Sequence, residues 1–326
     1  MSAIVLKSTE GLSREEWLAY RSLGIGGSDA SVVCGVNKYK SPIELWLEKT
    51  GQAPPQEAGE AAHWGTLLEP LIREEFTQRS GIKVITVNQI LQSREYPFML
   101  ANLDGVCRCP THGKCVFEAK TANAFKAGEW DGDFVPQEYY LQVQHYLCVT
   151  GYNGAYIAVL IGGNAFQWRF VERDEEVISM LIKRERDFWT LVQDDVPPPP
   201  DGSNACARFL AKRYPNSEPA SKIELPDSAA DLIHQYNEAS EQVEIFTEQK
   251  QKASNLLKHM LGEHETGTIG GDFVKWVTVT QERFNAKLLE AEQPEIHAKY
   301  TVKSTYRRFS ISNKSKGSQL CMRSIS

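Results

Sequence analysis

The segment Leu103 to Lys120, LDGVCRCPTHGKCVFEAK, constrains the chain more than any other. Pro110, Thr111, His112 and Gly113 form a turn cluster, so Gly105 to Cys109 and Lys114 to Lys120 read as two strands of a hairpin. Side chains alternate along a strand, so Val116, Glu118 and Lys120 share one face while Phe117 and Ala119 share the other. Asp104, at the open end of the first strand, reaches the face of Glu118 and Lys120. Two carboxylates with an ammonium beside them suit phosphodiester cleavage: the oxygens hold Mg²⁺ and leave it several waters, one of which becomes a nucleophile. The same letters fit a plainer structure, since Asp-Gly is an ordinary turn pair and Glu-Ala-Lys is common on solvated strands.

The rest of the chain limits the alternatives. At 326 residues one large core with a smaller appendage is expected, and 41% hydrophobic residues can fill such a core. No run approaches the ~18 apolar residues of a membrane span, and Met1 to Lys7 is too short for a signal peptide, so a soluble, cytoplasmic protein is expected. Seven cysteines is an odd count, with Cys34, Cys148, Cys206 and Cys321 isolated, which argues against a disulfide scaffold. Cys107, Cys109, His112 and Cys115 at the hairpin tip have zinc-ligand chemistry but not a standard zinc spacing, and a plain turn is the preferred reading. Net charge is −6, yet Ile296 to Ser326 holds Lys299, Lys303, Arg307, Arg308, Lys314, Lys316 and Arg323 and no acidic residue, which leaves −13 on the remainder. That basic tail suits phosphate contact or simple solvation.

Taken in order, Ser13 and Glu16 form a capping box opening a helix over Arg14 to Leu23. GIGGSDASVVCG follows, where Ser28 or Asp29 caps a short helix whose amides could hold an anion, with Arg21 supplying charge. On these residues alone a helix-turn-helix with a capped second helix is favoured. Ser41-Pro42 starts another helix, and His63 to Ser80 a third, with Leu67, Leu68, Leu71, Ile72 and Phe76 as its apolar face and Pro70 inside it. Lys83 to Gln92 reads as an edge strand. Thr121 to Phe134 is a loop and short helix where Lys126 and Trp130 could touch DNA. PQEYYLQVQHYLCVTG is a helix ending at Gly151, and Ala155 to Ile161 with Phe166 to Val171 are further strands. A helix with Val177, Met180, Leu181, Phe188 and Leu191 buried closes the domain.

Val196 to Gly202, VPPPPDG, marks the boundary, giving a first domain over 1–196, a Pro-rich linker over 197–203 and an extension over 204–326. The extension has a long helix with a heptad-like seam from Leu232 to Met260, strand-like runs at Phe273 to Thr280 and Tyr300 to Ser312, and a short helix near Asn285 to Glu290. Its Lys275-Trp276 and Tyr306-Arg307-Arg308-Phe309 groups suit either base stacking or an amphipathic hairpin.

Several of these motifs together resemble the YqaJ-like viral recombinases and lambda-type exonucleases of the PD-(D/E)xK nuclease superfamily. The similarity runs through RSLGIGGSDAS, NKYKSPIELWLEKTG, Gly65 to Pro70, the Asp104 and Glu118-Ala119-Lys120 hairpin and YLQVQHYL. It implies an α/β fold: a restriction-endonuclease-like core with a mixed central sheet flanked by helices, plus a helical and hairpin C-terminal extension. It implies Arg21 and Ser28 as the 5′-phosphate site, Glu69 as a third carboxylate, Gln142 as a ligand of water or phosphate with Gln144 a lesser choice, and the Ala119 carbonyl as a further metal ligand. His63 is a weaker metal candidate on the same grounds. The implied cofactor is Mg²⁺, as a pair of ions, with Mn²⁺ the alternative. The implied activity is 5′-to-3′ degradation of linear double-stranded DNA ends, which leaves 3′ overhangs for a single-strand annealing protein in phage or mobile-element recombination, by a homotrimer that touches no membrane. The alternatives are an endonuclease of the same fold and a non-catalytic DNA-binding or assembly protein.

Overall fold

The computed structural model describes residues 3–53 and 59–312. Contacts divide the chain into two compact units, Met1–Arg213 and Tyr214–Ser326.

In the first unit, a five-stranded mixed sheet runs in the order β3 (Val84–Ile85), β6 (Gly105–Cys109), β7 (Gly113–Ala122), β8 (Gly154–Ile161), β9 (Ala165–Glu172), with β7 and β8 parallel and the other pairs antiparallel. A second sheet runs β1 (Ala3–Ser8), β4 (Gln89–Ser93), β5 (Met99–Asn102), β2 (Ile25–Gly26). The expected edge strand over Lys83 to Gln92 is therefore two strands in two sheets: Val84 pairs with Cys107, whereas Leu91 pairs with Ala101. β1 and β2 carry no strong alternation and were not anticipated.

The helices are α1 (Arg14–Arg21), α2 (Gly27–Val33), α3 (Pro42–Lys49), α4 (Glu60–Ser80), α5 (Gln137–Thr150), α6 (Glu175–Gln193) and α7 (Asn204–Arg213), with a 3₁₀ segment over Ala124–Trp130. Alternation along β7 sets the layers. Phe117 packs with Ile72 and Phe76 of α4, and Val116 packs with Val143 and Leu147 of α5. β7 is covered on both faces, so Glu118 lies in a dry place between sheet and α5. α4 runs unbroken through Pro70. Its expected apolar face is narrower than the sequence suggests: Ile72 and Phe76 are buried, but Leu67 and Leu71 lie on the opposite side and are exposed. α7, which the sequence places beyond the Pro-rich boundary, is part of the first unit, with Ala205 and Cys206 buried.

The second unit contains α8 (Ala229–Leu261), a hairpin of β10 (Thr266–Ile269) and β11 (Asp272–Lys275), α9 (Ala286–Glu292) and α10 (Pro294–Tyr300). The expected strand over Tyr300 to Ser312 does not form; residues 301–312 have no regular secondary structure. Lys314, Lys316 and Arg323 of the basic tail lie outside the described residues. Among the described residues no helix is long and apolar enough to cross a membrane.

Candidate active site

The hairpin register puts Gly105 opposite Phe117, which sets Asp104 beside Glu118 and Ala119. Asp104 Oδ2 accepts the Ala119 N–H at 2.8 Å, and Arg73 Nη1 donates to the Asp104 carbonyl at 2.7 Å. Glu118 is almost fully buried. Its Oε1 accepts from Lys120 Nζ at 2.6 Å and from the Gln142 amide, while its Oε2 is buried without a partner. Gln142 Oε1 accepts from Lys120 at 3.0 Å, so lysine, glutamate and glutamine close a three-membered network. Glu69 approaches from α4 and is held by Arg73 at 3.2 Å. Asp104, Glu118, Glu69 and Gln142 line one cavity of about 350 Å³; the Lys120 ammonium stands behind Glu118 and Gln142, over the Tyr139 ring.

Crowding of carboxylates in a dry site raises their affinity for protons. Burial, then the Asp104 charge, pushes the Glu118 carboxyl up to about 8 against the pull of Lys120. Burial and Asp104 likewise push Glu69 up to about 7, opposed by Arg73. Asp104 is raised by burial, opposed by Lys120 and the Ala119 N–H. For Lys120 burial favours the neutral amine, but Glu118 and Asp104 outweigh it and hold the ammonium above its ordinary range. A buried, unpartnered carboxylate oxygen with a second carboxylate beside it is a hard oxygen donor set short of positive charge, which fits Mg²⁺ or Mn²⁺. In an extended strand N–H and C=O of one residue face the same side, so the Ala119 carbonyl faces the edge where its N–H meets Asp104. Among the described residues no three His, Cys, Asp or Glu side chains form a ready-made cage; a cation that keeps most of its waters needs only two.

The same cavity contains Arg21 and Ser28. Arg21 Nη2 donates to Ser28 Oγ at 2.9 Å, and its guanidinium lies over the Trp17 ring at 5.0 Å. The expected cap at Ser28 or Asp29 is corrected: Gly26 is the cap and Asp29, three residues on, accepts the Gly26 N–H at 3.0 Å. Asp29 is also bound by Lys49 at 2.8 Å and Arg21 at 3.4 Å. Although its burial favours the neutral acid, Lys49 and Arg21 more than offset this and hold Asp29 ionised. One carboxylate between two cations leaves a net positive charge beside Ser28.

Other candidates fall elsewhere. His63 lines a neighbouring cavity with Lys40 and Lys49, not the cavity lined by Asp104, Glu118 and Glu69. Gln144 is spent on structure, donating to the Glu172 carbonyl and accepting from the Asp174 N–H. Trp130 is buried and stacked on Tyr139, so it offers no face to DNA, and Lys126 is bonded to Tyr39 at 2.8 Å. At the hairpin tip Cys107, Cys109 and Cys115 form a buried cluster with Ile82, Val84, Tyr156 and Phe170, and His112 packs on Phe170. The sequence reading missed Tyr146, one turn beyond Gln142, and Arg73, one turn beyond Glu69; both i,i+4 spacings were available as a signal.

The YqaJ-like viral recombinase domain model matches residues 16–153. The chain is 42% identical over 313 residues to the YqaJ protein of Bacillus subtilis, spanning 95% of this chain and 97% of that one. It is 30% identical over 149 residues to a protein of Acanthamoeba polyphaga mimivirus, 42% of this chain and 26% of that one. Its fold is similar to an alkaline exonuclease from Laribacter hongkongensis, with a TM-score of 0.48 and 21% identity over 61% of this chain and 99% of that one. Identity of 42% along nearly the whole of both chains shows that this chain belongs to the YqaJ-like viral recombinase family.

Proposed function

We propose that the chain is a metal-dependent nuclease that degrades one strand of linear duplex DNA from a 5′ end, leaving 3′ overhangs for recombination. The observation that carries this reading is a single cavity with a cation-deficient carboxylate pair at one part of its wall and the Arg21–Ser28 anion site at another. An isolated carboxylate pair would cut anywhere. An anion site in the same cavity favours a strand whose terminal phosphate is held while a nearby phosphodiester is cut.

Asp104, Glu118 and the Ala119 carbonyl would hold Mg²⁺, or Mn²⁺ in its place, and the bound ion would supply Lewis-acid activation of water and neutralise charge at the phosphate. Lys120 is the charged donor nearest the Glu118 carboxylate, at 2.6 Å, and orients or activates the attacking water. Gln142 fixes Lys120 and Glu118 against each other, Glu69 adds negative charge on the α4 side, and Arg21 with Ser28 receives the 5′-phosphate. Family resemblance adds a single-strand annealing protein as recipient of the product and a homotrimer as the working assembly.

Digestion of linear and covalently closed circular duplex with Mg²⁺ tests the reading. Linear DNA labelled at the 3′ terminus of one strand should shorten from its 5′ end while circles stay intact. Equal cutting of both would replace the exonuclease with an endonuclease.

A further inference from the structure

α8 (Ala229–Leu261) carries an apolar stripe that its own unit leaves open. Leu232, Tyr236, Val243, Phe246, Leu257 and Met260 fall on the alternating three-and-four spacing of one seam, and all are exposed, Phe246 at 62% and Met260 at 77%. Among the described residues of Tyr214–Ser326 only Leu261 is buried, so this unit has no core of its own. Phe309 lies edge-on against Tyr236 at 5.7 Å, and the β10–β11 hairpin stands beside Ala253 and Leu257. The middle of the stripe, Val243 and Phe246, stays in solvent. A helix in a protein draws most of its stability from an apolar face packed on something else, so the stripe calls for a partner.

Two features say which partner. The seam is symmetric about Phe246: Leu232 and Met260 lie fourteen residues to either side of it, and Ala239 and Ala253 seven. With Phe246 on a twofold axis, an antiparallel second copy sets Leu232 against Met260, the small Ala239 against the small Ala253, and Val243 against Lys250. The charges are segregated about nearly the same centre. From Ala229 to Glu248 there are five acidic residues and no lysine or arginine; from Gln249 to Leu261 there are three lysines, Lys250, Lys252 and Lys258, and no acidic residue. An antiparallel copy lays the acidic half on the basic half. A parallel copy opposes like charges along the whole helix and sets the two Lys250 side chains together in the apolar seam.

We propose that α8 is a self-association surface whose occupant is α8 of a second copy of this chain, antiparallel and centred on Phe246. The pairing does not rest on the nuclease reading. Whatever assembly the first unit forms, α8 joins two of them.

Sedimentation of the full chain and of Phe246→Glu, at equal concentration, reads the association. Wild type should have twice the mass of the variant, because a carboxylate on the axis meets its own copy. Cross-linking reads the direction. Leu232 and Met260 of one helix are about 42 Å apart at 1.5 Å per residue, so a bond between these positions joins two chains. Leu232→Cys and Met260→Cys proteins, mixed and mildly oxidised, should give a 232–260 disulfide in peptide maps, and neither alone should give 232–232 or 260–260. A mass ratio other than two shows that a second copy does not occupy the stripe in this way. Links between like positions, or no 232–260 link, show that the pair is not antiparallel; either result overturns the proposal.

Discussion

Lys120 and Glu118 meet at 2.6 Å through one oxygen of the carboxylate, Oε1, while the other, Oε2, is buried and unpartnered. The lysine therefore compensates Glu118 only in part. Two further carboxylates lie near, and protons take up the shortfall at neutral pH. A cation entering the site must displace those protons, so Mg²⁺ binding should tighten as pH rises through about 7, where Glu69 releases its proton, and about 8, where Glu118 does. Calorimetry in buffers of different ionisation enthalpy should show proton release on binding at pH 7. Affinity that is flat from pH 6 to about 9, with no proton released, would contradict this electrostatic account.

Arg21 and Ser28 touch each other directly, and both face the cavity. Removing the guanidinium should cost about 1.5–3 kcal/mol of binding to a 5′-phosphorylated end, and much less to a 5′-hydroxyl end. The comparison of initial rates on phosphorylated and dephosphorylated linear duplex checks it. If wild type shows no preference for the phosphate, the pair has no such role.

His145 and Glu185 are wholly buried, with Nδ1 2.9 Å from the carboxylate and Nε2 2.8 Å from the Leu100 carbonyl. With Glu185 ionised neither acceptor carries a hydrogen, so satisfying both requires the doubly protonated ring; burial raises the Glu185 carboxyl and the imidazolium charge opposes that rise. Burial alone would lower the imidazole, but the Glu185 charge and these hydrogen bonds raise it overall. Its contribution to stability is thus full below the unfolded value of about 6.5 and is lost as pH rises through the raised folded value. Glu185→Gln should destabilise the first unit by about 3–5 kcal/mol, because it leaves a buried ring without its counter-charge. Chemical denaturation against pH tests both statements; a variant as stable as wild type would refute the pairing as a stabilising element.

The hairpin was legible because its signals are local: turn residues at the tip and alternation along β7 fix which side chains share a face. Gln142 and Arg21 were legible through resemblance, since an amide on a helix or an arginine before glycines has no unique meaning. Tyr146 was not, because an aromatic residue at core spacing on a helix reads as packing; what distinguishes it is the close approach of Gly27, a contact between segments far apart in sequence. Leu67 and Leu71 misled for the complementary reason. Apolar periodicity says that a helix has a buried stripe but not how wide a sheet will cover it, and here Ile72 and Phe76 suffice. Val84 and Leu91 belong to different sheets because the chain crosses between them inside one apolar run, which no period reveals.

Cleavage of phosphodiester bonds is proposed for the Asp104, Glu118 and Lys120 cluster. Initial rates of linear duplex degradation by wild type and Lys120→Ala, with Mg²⁺ saturating and binding checked separately, test it most directly. Lys120→Ala should lose about 10²–10⁴-fold in rate with DNA affinity nearly retained, the scale of a removed proton-transfer or water-orienting group. A Lys120→Ala protein that degrades linear DNA as fast as wild type would contradict it.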